Sequence, residues 1–211
     1  MAHLPKGRCA SPGIVIWPKD ADGMAFVMQL ICQGETLANR NSRFPFDDPL
    51  TETSVNQLRQ LKECVGPFSK VWTAPDLPAR QTTSALGLCG ESVAELAEPG
   101  YGRWAGIPIK KVIEQEHGAF QCWLSGDAPP GGENIVQVMA RTGRWLSLRV
   151  AERGCQCAIV SSTVIRAIVI QLLDAPASSF QLLDIQPLSM TQLSSNGKRW
   201  HLSCLGRRMA V

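Results

Sequence analysis

Glu98 stands just ahead of a glycine- and proline-rich stretch, residues 99–106. A carboxyl at a partly buried strand end can carry a raised pKa suited to general acid or base work. The plainer role for the same group is to accept hydrogen bonds from nearby loop amides. Two further strings close apolar runs with polar side chains: Cys32-Gln33-Gly34-Glu35-Thr36 and Ser161-Ser162-Thr163. A cysteine becomes a nucleophile when a histidine, a lysine or a helix N-terminus lowers its pKa. The three histidines, His3, His117 and His201, fall outside these strings, so Cys32 reads as a small apolar filler. Asn39 and Arg43 follow the first string, and a guanidinium suits bidentate recognition of an anion. A solvent-facing loop arginine is the alternative.

These groups meet only if the elements that carry them end at one place. Compact apolar runs at residues 25–31, 70–73 and 156–161 have the length and composition of buried strands, and 92–96 reads as a shorter one. Helical spacing of apolar residues predicts helices over 51–64, 81–88, 134–153 and 163–173. Strands are expected at 180–185, 190–193 and 199–205, the last two joined by the turn Ser194-Ser195-Asn196-Gly197-Lys198. Strands alternating with helices predict an α/β three-layer sandwich, its mostly parallel central sheet covered by helices on both faces and closed by an antiparallel edge hairpin. Ligands in such sheets sit beyond the carboxyl ends of the strands. The loops at 32–36, 73–80 and 161–163 fall there. Residues 1–23 carry Pro5, Pro12 and Pro18 and show no sustained period, apart from a short strand-like run at 14–17. They read as an irregular extension ahead of a domain spanning 24–211.

The order of these strings resembles the histidine phosphatase (phosphoglycerate mutase-like) superfamily over about residues 25–205. The family's Arg-His-Gly-Glu-Thr motif corresponds to Cys32-Gln33-Gly34-Glu35-Thr36, followed by Asn39, Arg43 and Asp47-Asp48-Pro49-Leu50-Thr51. Its Ser-Ser-Pro-Leu-x-Arg-Ala-x-Gln-Thr motif corresponds to the run from Thr73 to Thr82, with Pro78 at the arginine. Leu-x-Glu-x-x-x-Gly-x-Trp-x-Gly is complete as Leu96, Glu98, Gly102, Trp104 and Gly106, and Pro129-Pro130-Gly131-Gly132-Glu133 matches the next loop. His-x-x-Val-Ile-Arg-Ala stands as Ser161-Ser162-Thr163-Val164-Ile165-Arg166-Ala167. In overall style the chain is nearest to alpha-ribazole phosphatase-like members, which share a Pro-Leu-Ser string like Pro187-Leu188-Ser189.

The resemblance implies a fold and withholds its chemistry. In the family a histidine attacks the phosphoryl group, two arginines and a second histidine hold its oxygens, and an acid protonates the leaving group. The corresponding positions hold Gln33, Cys32, Pro78, Ser161 and Glu98. Glutamine has no basic ring nitrogen with which to form a phosphoenzyme. Without two guanidiniums and an imidazole the charge that stabilises a transferring phosphoryl group is also missing. The resemblance therefore implies a catalytically degenerate member, a pseudoenzyme that binds a small molecule or a protein partner. The alternative is a repurposed enzyme with Glu98 as general acid or base. Cys32, Gln33, Asn39, Arg43, Ser161 and Ser162 are the expected ligand-binding set. Arg80 and Arg166 are expected to face solvent and to fix a loop through carbonyls, respectively.

Bulk composition narrows the partners. The 211 residues, 45% of them hydrophobic, suffice for one sizeable core. The 21 basic and 18 acidic residues are scattered, which gives no footprint for nucleic acid or an anionic membrane. No apolar run has the length of a membrane-spanning helix or a signal-peptide core, so a cytoplasmic protein is expected. The eight cysteines show no Cys-x-x-Cys pair, and Cys155 and Cys157 lie too close along a strand for a good disulfide. Neither a metal nor a cofactor is expected. The ligand expected is neutral or weakly anionic, and a homodimer is an open option.

Overall fold

The computed structural model describes residues 26–209, so the extension at 1–23 and its strand-like run lie outside the described residues. Six strands form one sheet in the order β3-β2-β4-β1-β5-β6. They are β1 (Phe26–Cys32), β2 (Lys70–Thr73), β3 (Glu91–Ser92), β4 (Cys155–Val160), β5 (Ser189–Ser195) and β6 (Trp200–Arg208). The first four run parallel to one another, and β5 and β6 are antiparallel. β1 and β4 lie at the centre, where nearly every side chain is buried whichever way it points. That requires cover on both faces and accounts for the mainly apolar runs Phe26–Cys32 and Cys155–Val160, each interrupted by one glutamine, Gln29 and Gln156.

Helix α1 (Leu37–Arg40) is one turn, set by a capping box between Thr36 and Asn39. Helices α2 (Glu52–Leu61) and α3 (Leu77–Ala85) pack against each other, as do α6 (Ile135–Ser147) and α7 (Ser162–Leu172). Thr51, Asn134 and Ser161 cap α2, α6 and α7 through their side-chain oxygens. The sheet core includes Met28, Leu30, Ile31, Leu58, Ile159, Ile165 and Leu193, all nearly inaccessible to solvent.

Several elements depart from the sequence expectation. The segment expected as a strand over 180–185 is instead a 3-10 helix, Ala177–Leu182. Pro176 starts it, Phe180 plugs into the α6/α7 cluster, Leu182 points to solvent, and the chain beyond buries Ile185 in the sheet core without pairing as a strand. Of the strand expected over 92–96 only Ser92 pairs, and Ala94–Leu96 is a 3-10 turn. Helix α3 begins four residues ahead of the expected 81, because Pro78 sits in its first turn, where proline is compatible with a helix. Helix α6 stops at Ser147 rather than 153, since the chain must turn back through Gly154, at φ 87°, to enter β4. Three helices occur in stretches without a sustained apolar period: α1, α4 (Ile109–Gln115) and α5 (His117–Leu124). The last two carry the second core cluster, in which Trp104 packs against Phe44, Phe120 and Trp123. No helix among the described residues is long and apolar enough to cross a membrane.

Candidate functional site

Strands β1, β2 and β4 end side by side, and the loops that leave them enclose a cavity of about 370 Å³. All seven candidate residues line it: Cys32, Gln33, Asn39, Arg43, Glu98, Ser161 and Ser162. Backbone bonds fix the loop after β1. The Gln33 N–H donates to the Val160 carbonyl, the Gly34 N–H to Thr82 Oγ1 at 3.0 Å, and the Glu35 N–H to Ser54 Oγ at 2.8 Å. The Glu35 carboxylate pairs with Arg40. Gln33 is thereby held at the mouth of β1, but its buried Oε1 has no hydrogen-bond partner.

Asp47 has a left-handed backbone, φ 63°, and its carboxylate accepts the Leu77 N–H. The neighbouring Asp48 accepts the Ala38 N–H at 2.7 Å. This pair ties the loop after α1 to the first turn of α3, and the strained φ is held by that bridge. Arg43 donates from Nη1 to the Gly106 carbonyl at 2.9 Å and lies on the rim.

Glu98 occupies the inner wall. Its N–H donates to Asp76 Oδ2 at 2.8 Å, and its Oε1 accepts from Tyr101 OH at 3.0 Å. Tyr101 OH also lies 3.3 Å from Thr163 Oγ1. Burial raises the Glu98 pKa above its ordinary value; hydrogen bonding from Ser161, Tyr101 and Thr163 opposes this, and the charge of Asp76 reinforces it. Glu98 Oε2 is buried and finds no partner in hydrogen-bonding geometry. Asp76 is raised too, mainly by burial. Two carboxyls whose proton affinities are both elevated beside an enclosed space can serve as acid, base or acceptor.

Arg141 was not among the sequence candidates, yet it sets the Glu98 loop. Its guanidinium donates to the carbonyls of Glu95 and Ala97 and forms a bidentate pair with Glu133. The loops at 95–98 and 129–133 are thus clamped by one side chain on α6. The helical period gave no reason to single Arg141 out, because its two carbonyl partners lie more than forty residues away in the chain. Tyr101 sits inside the Leu-x-Glu-x-x-x-Gly string and could have been suspected from that register.

Arg166 donates from Nε to the Ser162 carbonyl at 3.4 Å, and its guanidinium carbon lies 4.0 Å from the centre of the Phe180 ring. It also lines the cavity, one helical turn after Ser162, so it is part of the site as well as a loop brace. Burial lowers its pKa, opposed by the charges of Tyr101 and Glu98. Ser161 Oγ accepts the Val164 N–H as the cap of α7. Cys32 is 2% exposed, and burial pushes its thiol up to about 12, helped by the Glu98 charge. A thiol so held does not ionise at neutral pH and is a poor nucleophile. Arg80 is exposed and outside the cavity, and His117 and His201 are exposed elsewhere. Cys155 and Cys157 are unbridged. Among the described residues no three His, Cys, Asp or Glu side chains gather as a metal site would need.

The sequence matches the histidine phosphatase superfamily (branch 1) over residues 28–207, and the chain belongs to that family. Solved structures agree. A mycobacterial glucosyl-3-phosphoglycerate phosphatase complexed with VO3 is similar at 25% identity and TM-score 0.77, covering 86% of this chain and 98% of its own. A mycobacterial hydrolase is similar at 24% identity and TM-score 0.78, covering 88% and 100%. The alpha-ribazole phosphatase from Shigella flexneri is similar at 20% identity and TM-score 0.75, covering 88% and 98%. No curated protein sequence matches the chain.

Proposed function

We propose that this protein is a histidine-phosphatase-fold protein without phosphohistidine chemistry, which binds a small molecule in the cavity at the ends of β1, β2 and β4. The observation that carries the reading is Gln33. It stands at the position of the family nucleophile, at the mouth of β1 and in the cavity wall, with an amide where the reaction needs a ring nitrogen. The groups around it support the same reading. Cys32, Pro78 and Ser161 line the cavity at the positions of two arginines and a histidine, so the cationic clamp on a phosphoryl group is missing. Arg166 and Arg43 are the two guanidiniums left in the wall, one stacked on Phe180 and the other bonded through Nη1 to a carbonyl, and neither stands at a position of the family's arginines.

Glu98 supports a second reading, a repurposed enzyme in which this carboxyl moves a proton. Its elevated pKa and its free Oε2 suit that role. A small molecule that co-purifies with the protein, followed for both binding and conversion by mass spectrometry, separates the two. Wild type is expected to bind it and to convert it at the buffer rate, and Glu98→Gln to leave that rate unchanged. Turnover by wild type that falls by about two to four powers of ten in Glu98→Gln would replace the binding reading with the enzyme reading.

A further inference from the structure

The charge lining the cavity has the opposite sign to that of a phosphate site. Four carboxyl side chains, Asp47, Asp48, Asp76 and Glu98, face two guanidiniums, Arg43 and Arg166. Three of the four already accept a backbone N–H, from Leu77, Ala38 and Glu98 respectively. Glu98 is the exception, for its Oε2 is buried without a partner, and so is Gln33 Oε1. A buried acceptor left empty costs free energy that a donating ligand recovers. Neither arginine supplies the donor. Arg166 forms no ion pair with Glu98 among the described residues, lies over Phe180 and uses Nε on Ser162. One part of the wall is aromatic: Phe44, Tyr101 and Trp123 line the space beside small polar and proline side chains, and aromatic faces attract cations as well as apolar carbon.

We propose that the cavity takes a small organic ammonium ion with an apolar body, its N–H groups donated to the side chains of Glu98 and Gln33 and its carbon skeleton laid against Phe44 and Trp123. The inference rests on the reading of the cavity as a binding site. It departs from the neutral or weakly anionic ligand expected from sequence, because carboxyls outnumber guanidiniums two to one in the wall. A volume of about 370 Å³ falls at the small end of the range for such sites, roughly 300–1,000 Å³.

The sign of the pH dependence follows from Glu98. The groups that act on it are Asp76, which raises its proton affinity, and the hydroxyls of Ser161, Tyr101 and Thr163, which lower it. Arg166 and Cys32 also lie within electrostatic reach. An ammonium ion binds the carboxylate, so its affinity rises with pH as Glu98 loses its proton, above the ordinary glutamate range. A ligand that accepted a hydrogen bond from protonated Glu98 would show the reverse.

The test uses the full chain and three probes, phenethylamine, its neutral isostere 2-phenylethanol, and inorganic phosphate, each followed by thermal shift and by tryptophan fluorescence. Phenethylamine is expected to stabilise the fold and to bind about tenfold or more tightly than the alcohol, a difference of about 1.4 kcal/mol. Its affinity should climb from acid to neutral pH, and Glu98→Gln should abolish both the climb and the preference. Gln33→Leu, which leaves Glu98 in place, should weaken the amine several-fold and keep the pH trend, so the outcome does not hang on one variant folding. Equal binding of amine and alcohol, or a flat or falling pH trend, overturns the proposal. Stabilisation by phosphate alone overturns it too while leaving a binding pocket. Silence from all three probes overturns the ammonium assignment, and the absence of phosphatase chemistry is then judged by hydrolysis and phosphoryl labelling alone.

Discussion

Gln33→His alone is expected to leave phosphate-ester hydrolysis at the wild-type level, whereas Cys32→Arg, Gln33→His, Pro78→Arg and Ser161→His together are expected to raise kcat/KM by on the order of a hundredfold or more. A single donor aimed at developing charge is worth about 10²–10³ in rate, and groups that act as one unit give little until the unit is complete. All four positions line the same cavity, so the new side chains would converge there. Two features limit the gain. Arginine at Cys32 must leave a position 2% exposed in the sheet core. Histidine at Ser161 removes the oxygen that caps α7, at a cost of about 0.5–2 kcal/mol. Steady-state kinetics on p-nitrophenyl phosphate measure the series. Turnover restored by Gln33→His alone would mean that Arg166 or Arg43 already supplies the phosphoryl clamp.

Trp104→Ala is expected to lower Tm by about 6–20 °C. Loss of a buried tryptophan costs about 3–5 kcal/mol, and each kcal/mol moves Tm by about 2–4 °C in a domain of this size. The side chain is fully buried, with ring centroids 5.2 Å from Phe44 and 6.2 Å from Trp123. Those two residues form the aromatic wall of the cavity, so the same change should also weaken ligand binding. Trp104→Phe should cost much less, because it keeps most of the packing and removes an indole N–H that has no partner. Calorimetry of the three proteins checks both statements, and a Trp104→Ala Tm within a degree or two of wild type would show that the cluster is not part of the cooperative core.

The sheet was legible because its central strands are buried on both faces and so write mainly apolar runs, with β2 at Lys70–Thr73 where expected and β1 and β4 displaced by one residue. The site was legible as a set of positions. Motif order placed Cys32, Gln33, Asn39, Arg43, Glu98, Ser161 and Ser162 on loops that the parallel strands bring to one cavity. What escaped was long-range. Helices α4 and α5 are held by an aromatic cluster that gathers Phe44, Tyr101 and Trp104 from distant segments, and no local period announces it. The strand expected over 180–185 is absent because its apolar residues bury in different places, Phe180 against α6 and α7 and Ile185 in the sheet core, with Leu182 left to solvent. The acidic side of the cavity wall was hidden for a similar reason. Asp76 read as part of a motif string, and only the fold sets it beside Glu98, where it accepts that residue's N–H.

The most direct test of the central claim is transfer of a labelled phosphoryl group to the protein itself. Wild type would be incubated with a radiolabelled phosphate monoester, denatured under alkaline conditions that preserve phosphohistidine, and counted. Gln33 offers no nitrogen nucleophile, and the exposed His117 and His201 lie outside the cavity, so incorporation is expected to equal that of a heat-denatured control. Acid-labile label approaching one phosphoryl group per chain would contradict the account.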